Sequence, residues 1–430
     1  MKATLLRPRL LRQLLSRSTL RKLFVLLLVW TVVEAQLIYY RIARSQREFE
    51  AQETLLENPT RVFIASLHWN NEKILRDSWN KGVLDLARVL GPANVFVSVY
   101  ESGSWDNTKG ALRELDKDLE KIGVDRRIVL DKTTHEELLK STPDKEGWIT
   151  VRKGELAGKT APRRIPYLSG LRNLSLQPLL ELAENGTTFD HVLFLGDVVF
   201  SVGLPSAAVI SVADSLKVSD VIGLLNTNDG HYAAACSLDF SKPPLFYDTF
   251  ALRDAKGHEH ATQTWPYFRS SKSRNAMLSG VPVPVTSCWN GIVAMPTSAF
   301  TGIKGLKFRG VEDSLAEFHV EGSECCLIHA DNPASRTRGV FLNPNVRVGY
   351  NAEAYEKVHT PGSWLSLSEI YVGLWKNRVM RRLTTPWFKE AHVRNRVRNW
   401  EKKGDDREEP GQFCLINEMQ IIVHNGWKHL

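Results

Sequence analysis

The sequence has no G-x-G-x-x-G and no Walker A motif, which argues against the Rossmann dehydrogenase and P-loop routes to a nucleotide phosphate. It has no C-x-x-C pair and no Cys/His spacing of a zinc site. Cysteine is scarce. The five are Cys236, Cys288, Cys325, Cys326 and Cys414, and an odd number leaves at least one unpaired within the chain. Internal repeats are absent. The first 22 residues lack any acid and carry Lys2, Arg7, Arg9, Arg12, Arg17, Arg21 and Lys22. Those seven charges leave only +1 of the net +8 to the rest of the chain. The basicity is therefore a topogenic signal and not a nucleic-acid surface, so no nucleic-acid partner is expected.

After the basic tail of 1–22 comes LFVLLLVWTVVEAQLIYY, residues 23–40, near the lower length limit of a spanning helix. Glu34 and Gln36 weaken it, while Trp30, Tyr39 and Tyr40 suit an interfacial belt. No small-residue cleavage site follows, so the expectation is an uncleaved transmembrane anchor. The positive-inside rule places residue 1 in the cytosol and everything after about residue 41 in a lumen. This single-pass type II layout is the usual one for Golgi glycosyltransferases. Two sequons, at Asn173 and Asn185, agree with a lumenal location.

Residues 41–60 read as a polar stem. From there apolar runs and helical periodicities alternate. Strands are expected at Arg61–Leu67, Val95–Tyr100, Arg127–Leu130 and His191–Leu195. Helices are expected over Glu72–Leu90, Thr108–Ile122 and Leu168–Ala183, with a loop rich in Gly, Lys and Arg at about 143–165. This order predicts an α/β fold with a parallel sheet, whose ligand sits at the carboxyl ends of the strands. Those ends carry Asn71, Glu101, Asp106 and, past the fourth strand, Asp197. The chain divides into a nucleotide-binding half at 61–230, an acceptor and catalytic half at 231–375, and a basic C-terminal extension at 376–430. The arginine- and lysine-dense part of that extension, about 376–410, contains Trp387 and Trp400. It reads as a solvated helix or as a dock for an acidic polysaccharide or a partner protein.

Several longer segments carry a family resemblance: FIASLHWNNEKIL (63–75), VYESGSWDNTKG (99–110), RIPYLSGLRNLSLQPLL (164–180), VLFLGDVVF (192–200), VPVPVTSCWNGIV (281–293) and FLNPNVRVGY (341–350). They resemble the fungal capsule-associated α-1,3-mannosyltransferases, the cryptococcal mannosyltransferase type. The resemblance implies a Golgi enzyme of GT-A-like nucleotide-sugar transferase fold. It implies GDP-mannose as donor, a mannoside or polysaccharide acceptor in cell-wall or capsule synthesis, and Mn²⁺ or Mg²⁺ as cofactor. One departure is Val202–Lys217, which reads as an insertion beside Asp197 able to displace it.

Cleaving a nucleotide-sugar leaves a diphosphate whose charge must be neutralised, and a divalent ion with hard oxygen ligands does this. Asp197 is the expected metal ligand. No second Asp completes a D-x-D there, since Val198 and Val199 follow. Asp239, Asp248, His329 and His359 are candidate second ligands. Arg164, Arg172 and Arg253 are candidate phosphate contacts. Transfer from an α-linked donor to an α-linked product retains configuration, so a catalytic carboxylate is sought among Asp239, Asp248, Asp254 and Glu324. Trp289 and Asn290 offer a stacking face and a hydroxyl contact for the acceptor. Asn185, in a glycine turn, is the expected glycan carrier. Two other functions fit the same sequence: a glycosyltransferase using another donor such as UDP-xylose or UDP-glucose, and a catalytically silent Golgi scaffold.

Overall fold

The computed structural model describes residues 17–51, 60–141, 146–152, 156–202 and 220–430. The chain opens with helix α1 (Arg17–Ala51) and enters the sheet at β1 (Val62–His68). Helix α2 (Asn80–Leu90) follows, with Val83, Leu86, Ala87 and Leu90 buried at the helical spacing. Gly91 ends it in a left-handed conformation, φ +88°. Then come β2 (Val95–Ser102), α3 (Thr108–Lys121), β3 (Asp125–Asp131), α4 (Arg164–Glu184) and β4 (His191–Leu195). The stretch expected as a loop at about 143–165 contains a short hairpin, Trp148–Thr150 paired with Thr160–Pro162.

These four strands are parallel, in the order β3-β2-β1-β4. All but one residue of β1 are buried, which suits a strand covered on both faces. The α/β fold expected from sequence is therefore present. The second half adds β5 (Ala234–Lys242), β6 (Val283–Ser287), β7 (Ile292–Pro296) and β8 (Val340–Gly349) to the same sheet. β7 lies antiparallel between β4 and β5, β8 runs parallel to β5, and β6 runs antiparallel to β8. One ten-stranded sheet thus crosses the boundary at residue 230. The chain leaves β1 toward β2 and β3, then returns to the other side of β1 as β4. That reversal opens a crevice between the ends of β1 and β4.

Helix α5 (Glu324–Asp331) follows β7. Helices α6 (Leu367–Leu383) and α7 (Trp387–Glu401) and the hairpin β9 (Gln420–Val423) and β10 (Gly426–His429) complete the chain. Disulfides Cys236–Cys288 and Cys326–Cys414 tie β5 to the β6–β7 turn and α5 to the C-terminal segment. Cys325 is the unpaired thiol.

Helix α1 does not stop where a stem was expected. It continues through residue 51, and Ala35, Ile38, Ile42 and Ala43 are buried. Those residues share one helical face, which packs against α6 and the helix Ser271–Ser279. Glu34 pairs with Arg378 at 2.5 Å, and Ser45 Oγ donates to the Gly280 carbonyl at 2.8 Å. The helix is long and apolar enough to cross a membrane: Ser18–Ala51 contains an 18-residue window of mean hydropathy 1.9.

Candidate functional site

A cavity of about 550 Å³ opens at the carboxyl ends of β1 and β4. That is within the range of small-ligand sites. Its floor is built from two glycines. The Gly196 amide donates to the Gly291 carbonyl at 2.9 Å. Gly291 has φ +78°, and a Cβ there would collide with Val348 Cγ2, so only glycine fits. Trp79, fully buried, donates its Nε1–H to the Gly196 carbonyl at 2.9 Å and fixes the turn that presents Asp197.

Asp197 lines the cavity. Its Oδ2 accepts from Asn71 Nδ2 at 2.9 Å. Asn71 is itself held, because its Oδ1 accepts from the Trp69 amide at 3.0 Å and faces His68 Nδ1 at 3.2 Å. Burial depresses the His68 imidazole to about 4, so the ring is neutral. Burial pushes the Asp197 carboxyl up, with nearby Asp239 contributing in the same direction. The flanks of the 202–217 insertion meet, since the Ser201 amide donates to Asp220 Oδ2 at 2.7 Å and the Asp220 amide to the Ser201 carbonyl at 3.0 Å. All of that segment except Val202 lies outside the described residues, and Asp197 stands at the cavity with it present.

Across the cavity stands Asp248. Its Oδ1 accepts from the Phe250 amide at 2.9 Å and the Ala251 amide at 3.2 Å. Burial, and then the neighbouring Asp239 carboxylate, push it up to about 7. Asp239 is buried in β5 and spends both oxygens. Oδ1 accepts from Asn290 Nδ2 at 2.9 Å and the Asp248 amide at 3.2 Å, and Oδ2 accepts from the Tyr350 hydroxyl at 3.1 Å. Asp239 is therefore a negative charge behind Asp248 and not an open ligand.

The cationic wall comes from α4. Arg164 and Arg172 both line the cavity, two turns apart on one helix face. Arg172 Nε donates to Glu324 Oε1 at 3.0 Å. Its guanidinium sits 4.8 Å from the centre of the Trp289 ring. Arg164 donates to Gln420 Oε1 at 2.6 Å and lies 4.0 Å from the Trp427 ring centre. Glu324 starts α5 at the cavity edge, beside the Cys325 thiol, which burial pushes well above its ordinary value. That thiol is protonated and a poor nucleophile.

Five residues expected from sequence to act together thus meet in one cavity: Asp197, Asp248, Arg164, Arg172 and Glu324, with Trp289 beneath Arg172. Others expected there have different employment. Glu101 is buried against Lys109 Nζ at 2.9 Å. Asp106 accepts from the Thr108 and Glu72 amides, both at 3.0 Å, and so braces two helix starts. Arg253 donates to the carbonyls of Phe413, Phe250 and Leu252, stitching the C-terminal segment to the core. Asp254 accepts from the Lys256, His258 and Ser270 amides, which makes it a loop anchor. Asn290 is fully buried on Asp239. Phe194 and Phe308 crowd Trp289, so Arg172 takes the ring face that an acceptor sugar was expected to use. His329 bonds the Cys288 carbonyl and His359 lies against Asp220, and neither lines the cavity. Among the described residues no group of three or more His, Cys, Asp or Glu is arranged as a metal cage.

Of the two sequons, Asn185 is exposed in the turn after α4. Asn173 exchanges both of its side-chain hydrogen bonds with the Phe308 backbone.

Residues that sequence reasoning passed over close the cavity. Tyr247, Tyr350, Trp427 and His429 line it, and the last two sit on the C-terminal hairpin. The available signal was Asn425-Gly426 between IIV and WKH, a strong hairpin cue.

Residues 61–331 match the family described as cryptococcal mannosyltransferase 1. No curated protein matches the chain. Among solved structures it is similar to the mannosyltransferase PcManGT of Pyrobaculum calidifontis in complex with GDP-Man and Mn²⁺, at 12% identity and a TM-score of 0.35 over 90% of this chain and 87% of that one. GalNAc-T7 with UDP, GalNAc and Mn²⁺ is similar at 9% identity and a TM-score of 0.37, over 68% of this chain and 44% of that one. Likenesses that distant carry no argument about the site. The family match spans β1 to α5 and takes in every cavity-lining residue except Tyr350, Gln420, Trp427 and His429. The chain belongs to the cryptococcal mannosyltransferase 1 family and is a glycosyltransferase.

Proposed function

We propose that the chain is a retaining α-1,3-mannosyltransferase that moves mannose from GDP-mannose to a mannoside of a cell-wall or capsule polysaccharide. In this reading α1 anchors it as a type II protein of the Golgi membrane, with the sheet domain lumenal. The observation that carries the catalytic part is the convergence of two carboxylates that form no ion pair among the described residues, Asp197 and Asp248, with two arginines at the carboxyl ends of β1 and β4. A diphosphate and a sugar need both kinds of group.

The donor set fits a divalent cation. Asp197 offers a hard oxygen whose charge is disfavoured by burial and by Asp239, and a cation would relieve both. A single carboxylate with diphosphate oxygens and water is an ordinary Mg²⁺ arrangement, so a full protein cage is not required. When bound, Mn²⁺ or Mg²⁺ supplies charge neutralisation of the leaving diphosphate.

The protein's own groups do the rest. Arg164 and Arg172 contact phosphate oxygens and counter the charge that grows as the C1–O bond to phosphate breaks. The Glu324 carboxylate keeps the Arg172 guanidinium oriented. Asp248, seated on two backbone amides, faces the anomeric carbon and stabilises its developing positive charge. The acceptor hydroxyl forms the new bond to C1 and passes its proton to the phosphate oxygen released as the C1–O bond breaks, while GDP departs with the electron pair of that bond. Tyr247, half-exposed at the cavity, supplies the acceptor platform in place of Trp289.

The test is a donor panel. The full chain in detergent with Mn²⁺ is given GDP-mannose, UDP-xylose or UDP-glucose and an α-mannoside, and the product linkage is read by NMR. Turnover of GDP-mannose to an α-1,3-linked product is expected. Turnover of a UDP-sugar instead would refute the donor while leaving the transferase. Silence with every donor would favour the scaffold.

A further inference from the structure

The basic C-terminal extension has a feature its charge alone does not explain. At the α6–α7 corner, Leu383, Trp387 and Phe388 are 76%, 69% and 84% exposed. Three large apolar side chains together at a helix corner are unusual on a surface that water wets. Around them stand cations. Arg381 lies within electrostatic reach of Arg274, Arg378 and Arg382, and Lys389 follows Phe388. Of the four arginines, Arg378 has a carboxylate partner, Glu34.

The position of this corner relative to α1 identifies what covers it. Several contacts set α6 beside α1 and give its direction. Tyr39 approaches Gly362, just before α6 begins, and Gln46 lies near Thr360. Arg378, near the other end of α6, reaches Glu34 and lies 5.4 Å from the Trp30 ring centre. The two helices are antiparallel. Leu383 is five residues beyond Arg378, about 7.5 Å further along the axis. The corner therefore points toward the level of Leu26–Trp30, where α1 itself is exposed and apolar.

We infer that the α6–α7 corner, Leu383, Trp387 and Phe388 ringed by Arg381, Arg382 and Lys389, is a second membrane contact that inserts into the bilayer interface beside α1, with its cations on anionic headgroups. The inference rests on the reading of α1 as a membrane anchor and goes beyond it. It assigns a membrane-facing side to the globular domain. Aromatic and aliphatic side chains in the interface with flanking cations are the pattern of an interfacial contact. Packing of α1 against α6 ties the domain to the anchor, and a second contact sets its tilt on the bilayer and so which way the cavity faces.

The test places an environment-sensitive NBD fluorophore on the full chain, reconstituted in vesicles of phosphatidylcholine and phosphatidylserine. Separate variants carry it at Phe388→Cys, at Val29→Cys on α1, and at Asp118→Cys on α3. Cys325 is buried and the other four native cysteines are in disulfides, so they do not compete. Quenching is read with doxyl-labelled lipids. The expected result is quenching at 29 and 388, with the shallow doxyl lipid acting more strongly at 388, and none at 118. Quenching at 29 but not at 388 overturns the inference and leaves the anchor. Quenching at neither position removes the anchor and the inference with it. A signal at 388 that follows protein density and not doxyl lipid assigns the corner to a second copy and also overturns it.

Discussion

Asp248→Asn should make the chain more stable at alkaline pH, at the expense of catalysis. The Asp248 carboxyl is pushed from an ordinary 3.8 to about 7, first by burial and then by the Asp239 carboxylate. That rise corresponds to about 4 kcal/mol of differential stabilisation. Its sign follows from linkage. The folded-state value is raised, so the fold favours the protonated form. The contribution is complete below about pH 4 and is lost as the pH climbs through about 7. The Asn side chain keeps an oxygen for the Phe250 and Ala251 amides and carries no charge to repel Asp239. The variant should therefore match the parent near about pH 3 and exceed it by on the order of 4 kcal/mol near about pH 8, several degrees in melting midpoint. Thermal melts of both chains in detergent, without divalent metal, measure this. A gap independent of pH, or a variant less stable at pH 8, would refute the reasoning. Either result would show that the carboxylate is held ionised by something stronger than its burial.

Other outcomes follow from the same contacts. Arg172→Met leaves Glu324 buried without its cation and should cost about 3 kcal/mol, whereas Arg172→Met with Glu324→Gln recovers most of it in denaturant melts. Gly291→Ala meets Val348 and a left-handed φ, so it should destabilise by about 2 kcal/mol and lower kcat by moving the Gly196 turn under Asp197. In a secretory eukaryotic host, Asn185→Gln should remove a glycosidase-sensitive gel shift. Asn173→Gln should leave that shift in place, because Asn173 is bonded to the Phe308 backbone.

The parallel half of the fold was readable because each strand is a short apolar run closed by polar or glycine residues. Leu195-Gly196-Asp197 at the end of β4 pointed to the crevice once the alternation of strands and helices before it was read. The pairing of the mixed half was not, since β5, β7 and β8 come together only through long-range contacts and a disulfide from Cys236 to Cys288. That is why Asp248 was nameable as a carboxylate while its setting on Asp239 was invisible. Arg253 and Asp254 show the opposite failure. A charged pair at a strand end looks functional in sequence, and only the backbone groups of the C-terminal segment and neighbouring loops reveal them as anchors. The stem misread has a plain cause. Residues 41–51 are polar enough for solvent, yet Ile42 and Ala43 continue the buried stripe begun by Ala35 and Ile38. The hairpin at 420–429 carried a usable Asn-Gly cue, and nothing local tied it to a cavity built some 225 residues or more earlier from β1, α4 and β4.

The most direct test of the account is GDP release from GDP-mannose by the full chain, with and without Mn²⁺, beside Asp197→Ala. Turnover should need the metal and fall by at least about a hundredfold in the variant. Full activity in Asp197→Ala, or equal activity after removal of all divalent metal, would contradict it.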